Sequence, residues 1–201
     1  MQRSLSNMRE KFLIDPMLAG KGSVPGFGGT INSHIANPLV DLPIPMDEIP
    51  DVDAVIVTHI HPDHWDDAAI KLVPKDMLIF CARREICRTN KGEGFNSVRT
   101  LGEKTIFDDI TLIKTPGRHG GDAQVLGYEP IIMDKKDVYG AYKAAPGATI
   151  IASHMESVNH AMLSRKELRE FINEKGMTQR VLVPEDGANP AFSNGIHVDV
   201  C

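Results

Sequence analysis

The strongest constraint on this chain is the join between an apolar run, Asp53 to Thr58, and the six residues after it, His59-Ile60-His61-Pro62-Asp63-His64. A continuous run rich in valine and isoleucine marks a β-strand covered on both faces, the usual state of a strand with parallel neighbours. Such a strand belongs in a layered α/β core. The run then ends in three imidazoles and one carboxylate, placed at a strand end where α/β folds gather their reactive groups.

In a loop leaving a strand, His59 and His61 point the same way at period two, so both imidazoles can reach a single ion. Asp63 and His64 come round the turn set by Pro62 and can reach a second ion beside it. Imidazole nitrogen and carboxylate oxygen suit Zn2+, with Mn2+ or Fe2+ as alternatives, and two such ions about 3.5 to 4 Å apart can share and activate one hydroxide. A single loop histidine would be ordinary. Four candidate ligands in six positions point to a metal site.

The flanking sequence supplies a βαβ rhythm. Lys11 to Ile14 reads as a short strand stopped by Asp15-Pro16, and Gly20 to Gly29 as a glycine-rich loop without the spacing of a phosphate cradle. Prolines 38, 43, 45 and 50 forbid a helix interior and predict an extended crossing. Trp65, Ala69, Leu72 and Val73 fall at helical spacing before Pro74, and Met77 to Ala82 is the next strand. Thr105 to Thr115 predicts a hairpin turning at Asp108-Asp109, and Ala148 to Ser153 a strand ending at His154. Ser164 and Glu167 form a capping box, with Leu163 and Leu168 as a hydrophobic staple and Gly176 closing a helix that buries Leu168, Phe171 and Ile172. Arg180 to Val183 is the last strand.

Composition narrows the remaining classes. At 201 residues with 42% hydrophobic content, residues 1–201 read as a single domain. The 22 Lys and Arg against 27 Asp and Glu, without a basic block, argue against a nucleic-acid partner. No apolar stretch reaches the roughly 18 to 20 residues of a membrane span, and the N-terminus lacks a secretory h-region, so a cytoplasmic protein without a membrane partner is expected. Cys81, Cys87 and Cys201 show no CxxC spacing, which leaves histidines and carboxylates to carry any metal.

"THIHPDH" resembles the HxHxDH signature of the metallo-β-lactamase fold, a four-layer αββα sandwich. "FLIDP" ahead of a long loop and "DAVIVTHIHPDHWD" is similar to the metal-dependent hydrolase branch that includes L-ascorbate 6-phosphate lactonase. The resemblance implies that His59, His61 and His119 hold a first metal and that Asp63, His64 and His154 hold a second. It also gives Asp63 a catalytic role, orienting the hydroxide and returning a proton to the leaving group. His160 reads equally as a substrate contact or as a cap on the next segment, and Glu185 and Asp186 as a solvated turn.

The pattern breaks at "HGGDAQ". The family carries a further aspartate that bridges the metals from a separate strand, but Asp122 lies only three residues after His119. The expectation is therefore an incomplete sandwich lacking an internal segment and the opening strand, with sheet edges that a second copy of the chain would cover. Two functions compete. The first is a hydrolase of a small ester, lactone or phosphate-bearing metabolite that uses a metal-activated hydroxide; the second is a metal-binding remnant without turnover. A di-iron redox centre fits poorly, because flavodiiron-type relatives carry a glutamate where this chain has His61.

Overall fold

The computed structural model describes residues 4–7, 10–46, 49, 51–108, 110–114, 133–188 and 191–192. In chain order its elements are β1 (Ser4–Asn7), β2 (Lys11–Ile14), β3 (Ala54–Val57), α1 (Asp67–Leu72), β4 (Leu78–Cys81), α2 (Arg84–Gly92), β5 (Ser97–Thr100), β6 (Lys104–Phe107), β7 (Ile110–Ile113), α3 (Lys135–Ala144), β8 (Ile150–Ile151), α4 (Arg165–Glu174), β9 (Val181–Leu182) and β10 (Ala191–Phe192). The main sheet has the order β10-β1-β2-β3-β4-β5, and a β6-β7 hairpin and a β8-β9 pair stand apart from it. Strands β2 to β5 run parallel, while β1 is antiparallel to β2.

The alternation of side chains along these strands explains the layers. Leu13, Val55, Val57, Ile79 and Cys81 share one core with Ala69 of α1 and with Ile86 and Cys87 of α2. Phe12, Ala54, Ile56 and Phe80 face the opposite way, onto Ile110 and Leu112 of β7. Helices therefore cover one face of the sheet and the hairpin covers the other. All four residues of β3 are buried, as a strand enclosed on both faces requires. Each large side chain enclosed in this way contributes about 1.5–3 kcal/mol. A third core joins Val138 of α3, Leu168 and Ile172 of α4, and Val181 of β9.

Local sequence accounts for the element ends. Asp66 caps α1 by accepting from the Ala69 N–H, and the helix stops ahead of Pro74. Both arms of the Ser164–Glu167 capping box are formed at α4, Leu163 packs against the core that holds Leu168, and Gly176 closes the end at φ +67°. The hairpin turns at Asp108, at φ +48°.

Other expectations change. An opening strand is present: β1 pairs with β2 through Leu5↔Phe12. Its residues, "SLSN", lack the β-branched run that marks β3, so no strand is legible there in the sequence. Helices α2 and α3 and strands β5 and β10 lie where no element was assigned, and β8 and β9 are each shorter than the strands expected there. Among the described residues no helix is long and apolar enough to cross a membrane.

Candidate metal centre

The parallel register of β2 and β3, Leu13↔Val55 and Ile14↔Ile56, carries both strands to the same edge of the sheet. The chain leaves β2 at Asp15, whose N–H donates to the Ile56 carbonyl at 2.9 Å. Asp15 adopts φ +46° and His154, after β8, φ +60°. Both lie in the left-handed region that side-chain-bearing residues seldom occupy, as residues held by a functional site often do.

Asp15 governs two imidazoles. Its Oδ1 accepts the Thr58 N–H at 2.7 Å, and its Oδ2 accepts the Thr58 hydroxyl at 2.6 Å and lies 3.0 Å from His64 Nδ1. A carboxylate only accepts, so His64 carries its proton on Nδ1. The Thr58 hydroxyl has given its one hydrogen to Asp15 and must accept from His59 Nδ1, 3.0 Å away. In both histidines Nε2 is left as the lone-pair nitrogen, which is the form a metal ligand needs.

Asp63 stands at the centre, 5% exposed. Its Oδ2 accepts from His154 Nε2 at 2.8 Å and lies 3.5 Å from His64 Nε2. Burial pushes its pKa up, but the hydrogen bond from His154 and the electrostatic influence of His64 and His154 outweigh burial and hold the carboxyl well below the usual range. Three clusters have their ligating atoms within 4.8 Å of one another: Asp15-His59-His64, His59-His61-Asp63 and Asp63-His64-His154. Asp63 belongs to the last two.

The donor set fits a metal ion. Asp63 Oδ1 is buried and accepts no hydrogen bond among the described residues, a costly state for a carboxylate oxygen unless a cation takes it. His59 and His64 pack with ring centroids 3.7 Å apart, which places their ligating atoms within reach of one ion.

Two loops wall the cluster. Residues 20–37 meet residues 154–162 through a buried amide pair: Asn37 Nδ2 donates to Asn159 Oδ1 at 2.8 Å, and the Asn159 N–H donates to Asn37 Oδ1 at 2.8 Å. His160, next to this pair, places Nε2 3.6 Å from Asp63 Oδ2 and packs edge-on against Phe27.

No family model matches the chain. It is 39% identical to UPF0173 protein YddR of Bacillus subtilis (strain 168), in an alignment covering 91% of this chain and 93% of that protein. The chain belongs to the UPF0173 family. Among solved structures, this UPF0173 member is similar to the isothiocyanate hydrolase from Delia radicum gut bacteria, with a TM-score of 0.84, 38% identity, and 96% of this chain and 98% of that one covered. It is also similar to a possible metal-dependent hydrolase from Veillonella parvula DSM 2008, with a TM-score of 0.78, 33% identity, and coverage of 92% and 94%.

Of the residues singled out in the sequence, His59, His61, Asp63, His64 and His154 come together in this UPF0173 member. His119 and Asp122 lie outside the described residues. Glu185 and Asp186 pair with Arg169 and Arg165 of α4. Sequence reasoning missed Asp15 and Thr58 as site residues. Their one signal was position, since Asp15 directly follows one expected strand and Thr58 ends the next.

Proposed function

We propose that this hydrolase holds zinc between the ends of β2, β3 and β8 and cleaves small uncharged electrophiles. Its likeness over nearly the whole chain to an isothiocyanate hydrolase and to a possible metal-dependent hydrolase argues against a remnant without turnover. The observation that carries the reading is the shared Asp63 carboxylate, flanked by imidazoles whose Nε2 lone pairs Asp15 turns inward.

In this reading His59, His61 and His119 hold one ion, and Asp63, His64 and His154 hold a second, with manganese or iron as alternatives to zinc. When bound, the metal supplies an activated water and positive charge against the charge that develops on the substrate. The chain supplies the rest. Asp63, kept ionised by its histidine neighbours, receives the proton of the attacking water and passes it to the leaving atom. Asp15 fixes the imidazoles so that no reorientation is needed during the reaction.

The substrate preference follows from the walls. Among the residues of 20–37 and 154–163 the one lysine or arginine is Lys21, on an exposed turn, whereas Ile31, Ile60 and Met162 are exposed and Phe27 touches His160. The exposed apolar side chains of these two loops suit esters, lactones and isothiocyanates, whereas a phosphate-bearing metabolite would find only Lys21 as a cationic side chain in them. Isothiocyanate is the group named for the neighbour from Delia radicum gut bacteria.

The layers fit the same reading. We read the helix face, the main sheet, the hairpin layer and the α3–α4 pair over β8–β9 as the layers of a four-layer αββα sandwich with a shortened interior. The alignment with the Bacillus protein runs over 237 positions although 91% of this chain takes part, which supports a shorter internal segment here. The test is metal analysis of the purified chain together with turnover of phenyl acetate, a γ-lactone, benzyl isothiocyanate and a phosphodiester. Bound zinc with hydrolysis of an uncharged substrate is expected. A metal-free chain that zinc does not activate, or a preference for the phosphodiester, refutes the reading.

A further inference from the structure

The β8–β9 pair stands outside the main sheet, yet the segment after β8 brings His154 to Asp63, and its backbone is unusual. His154 adopts φ +60° and Glu156 φ +38°, two side-chain-bearing residues in the left-handed region with only Met155 between them. Such a turn persists only where its surroundings over-determine it.

Three contacts grip this turn. Met155 is 6% exposed and packs with Leu168 in the core of α3 and α4. The Ser157 carbonyl accepts from the Leu39 N–H at 2.8 Å. The third contact is ionic and falls on Glu156. Its Oε1 accepts the Arg165 N–H at 3.2 Å, in the first turn of α4, where a helix leaves its N–H groups without internal partners and favours an anion. Its Oε2 accepts from Arg165 Nη1 at 2.9 Å.

The rest of the guanidinium reaches a second loop. Nε donates to the Pro184 carbonyl at 3.1 Å, and Nη2 donates to Asp186 Oδ1 at 2.5 Å. Strands β8 and β9 run parallel with Ile151 opposite Leu182, so the chain leaves both at the same edge. Arg165 ties those two exits together. A lone exposed ion pair would contribute little, but a planar guanidinium that meets acceptors on two loops, with its own side chain 13% exposed, fixes their relative position.

We propose that Arg165, acting through Glu156, is the positioning residue for the second metal: it holds the left-handed turn from His154 to Glu156 and so sets where the His154 imidazole meets Asp63. This rests on the reading above, in which His154 and Asp63 bind that ion, and gives a role to two residues outside the ligand set. His59 and His61, assigned to the first ion, follow β3 and make no contact with this clamp, so its loss falls on one ion and spares the other.

Cadmium-113 resonance of the loaded full chain tests the selectivity. One signal is expected for each ion, and His154→Ala identifies the signal that depends on His154. Arg165→Met should shift or broaden that signal and leave the other in place, and chelator competition should show the second zinc weakened about 10-fold with the first within threefold of the unaltered chain. Glu156→Gln is the milder variant, since its amide keeps an oxygen for one Arg165 donor and sets an NH2 against the other; it should move the same signal by less. Arg169→Met removes the neighbouring contacts to Glu185 and the Val183 carbonyl and should move neither signal.

An unmoved His154-dependent signal in the folded Arg165 and Glu156 variants, equal weakening of both ions, or the same response from Arg169→Met overturns the proposal, because a residue that only stabilises the fold does not distinguish the two ions. If the unaltered chain takes up no metal, or a single ion that His154→Ala leaves in place, the second site and this role fall together. If it takes up two ions and Arg165→Met holds both as tightly, only the role of Arg165 falls.

Discussion

Replacing Asp15 with asparagine exchanges one oxygen for an NH2 group and tests whether this residue sets both tautomers. The Thr58 backbone N–H cannot reverse, so the new amide must present its oxygen where Oδ1 stood and its NH2 where Oδ2 stood. That NH2 faces the Thr58 hydroxyl and His64 Nδ1. The hydroxyl now accepts and turns its hydrogen toward His59 Nδ1. Both imidazoles then move their protons to Nε2, onto the atoms that face the metal position.

Loss of a group that orients one metal-bound imidazole costs about 10- to 100-fold in metal affinity, or about 1.4–2.7 kcal/mol. Here two imidazoles respond to one substitution. Zinc affinity should fall about 100-fold, with full additivity of the two effects as the upper limit. The fold should suffer less. All three hydrogen bonds lose the assistance of a charge and two of them reverse direction, so urea unfolding of metal-free protein should show a loss of about 1–3 kcal/mol. Competition against a chromophoric chelator measures the affinity, and histidine 15N shifts report the tautomers. Zinc affinity within threefold of the unaltered chain, with the His59 and His64 protons still on Nδ1, would refute the reasoning.

Asp63 predicts a pH response in metal-free protein. Its carboxyl is held below its unfolded value by His154 and His64, so its contribution is fully present above about pH 4 and is lost as pH falls further; unfolding curves of Asp63→Asn should lack that part of the acid slope. Asn37→Ala leaves a buried Asn159 N–H and side-chain oxygen without their partner, and should cost about 2–5 kcal/mol in urea unfolding, more than a comparable exposed asparagine. His61→Ala and His154→Ala should each reduce bound zinc without abolishing it, because each belongs to one of the two clusters that share Asp63; elemental analysis decides, and complete loss from either variant contradicts two separate clusters.

What could be read from the sequence was what is local. His59, His61, Asp63 and His64 lie on one turn, so their meeting follows from spacing alone. The strand before them was legible because its burial on both faces is written in consecutive residues. The Asp15–Thr58 contact spans 43 positions and the Asn37–Asn159 pair 122, and both depend on strand register and loop docking that no local pattern encodes. Helix α2 begins at Arg83 without a side-chain cap, so its start leaves no mark in the sequence. Helix α3 does have such a mark, the capping box of Asp134 and Asp137, but with aspartate where glutamate or glutamine is the usual signal.

The two long-range contacts serve the same end from opposite sides. Asp15 reaches the cluster from behind, through the strand register, and leaves the Nε2 atoms of His59 and His64 as acceptors. The Asn37–Asn159 pair reaches it from the loops, and the Asn159 side-chain oxygen accepts from His160 Nδ1. Neither set shares a hydrogen-bond partner with the other, yet both fix imidazoles that border Asp63. Besides the stability they add, the Asp15 bonds leave His59 and His64 in the tautomer a metal ligand needs, which is evidence for the metal beyond the motif itself.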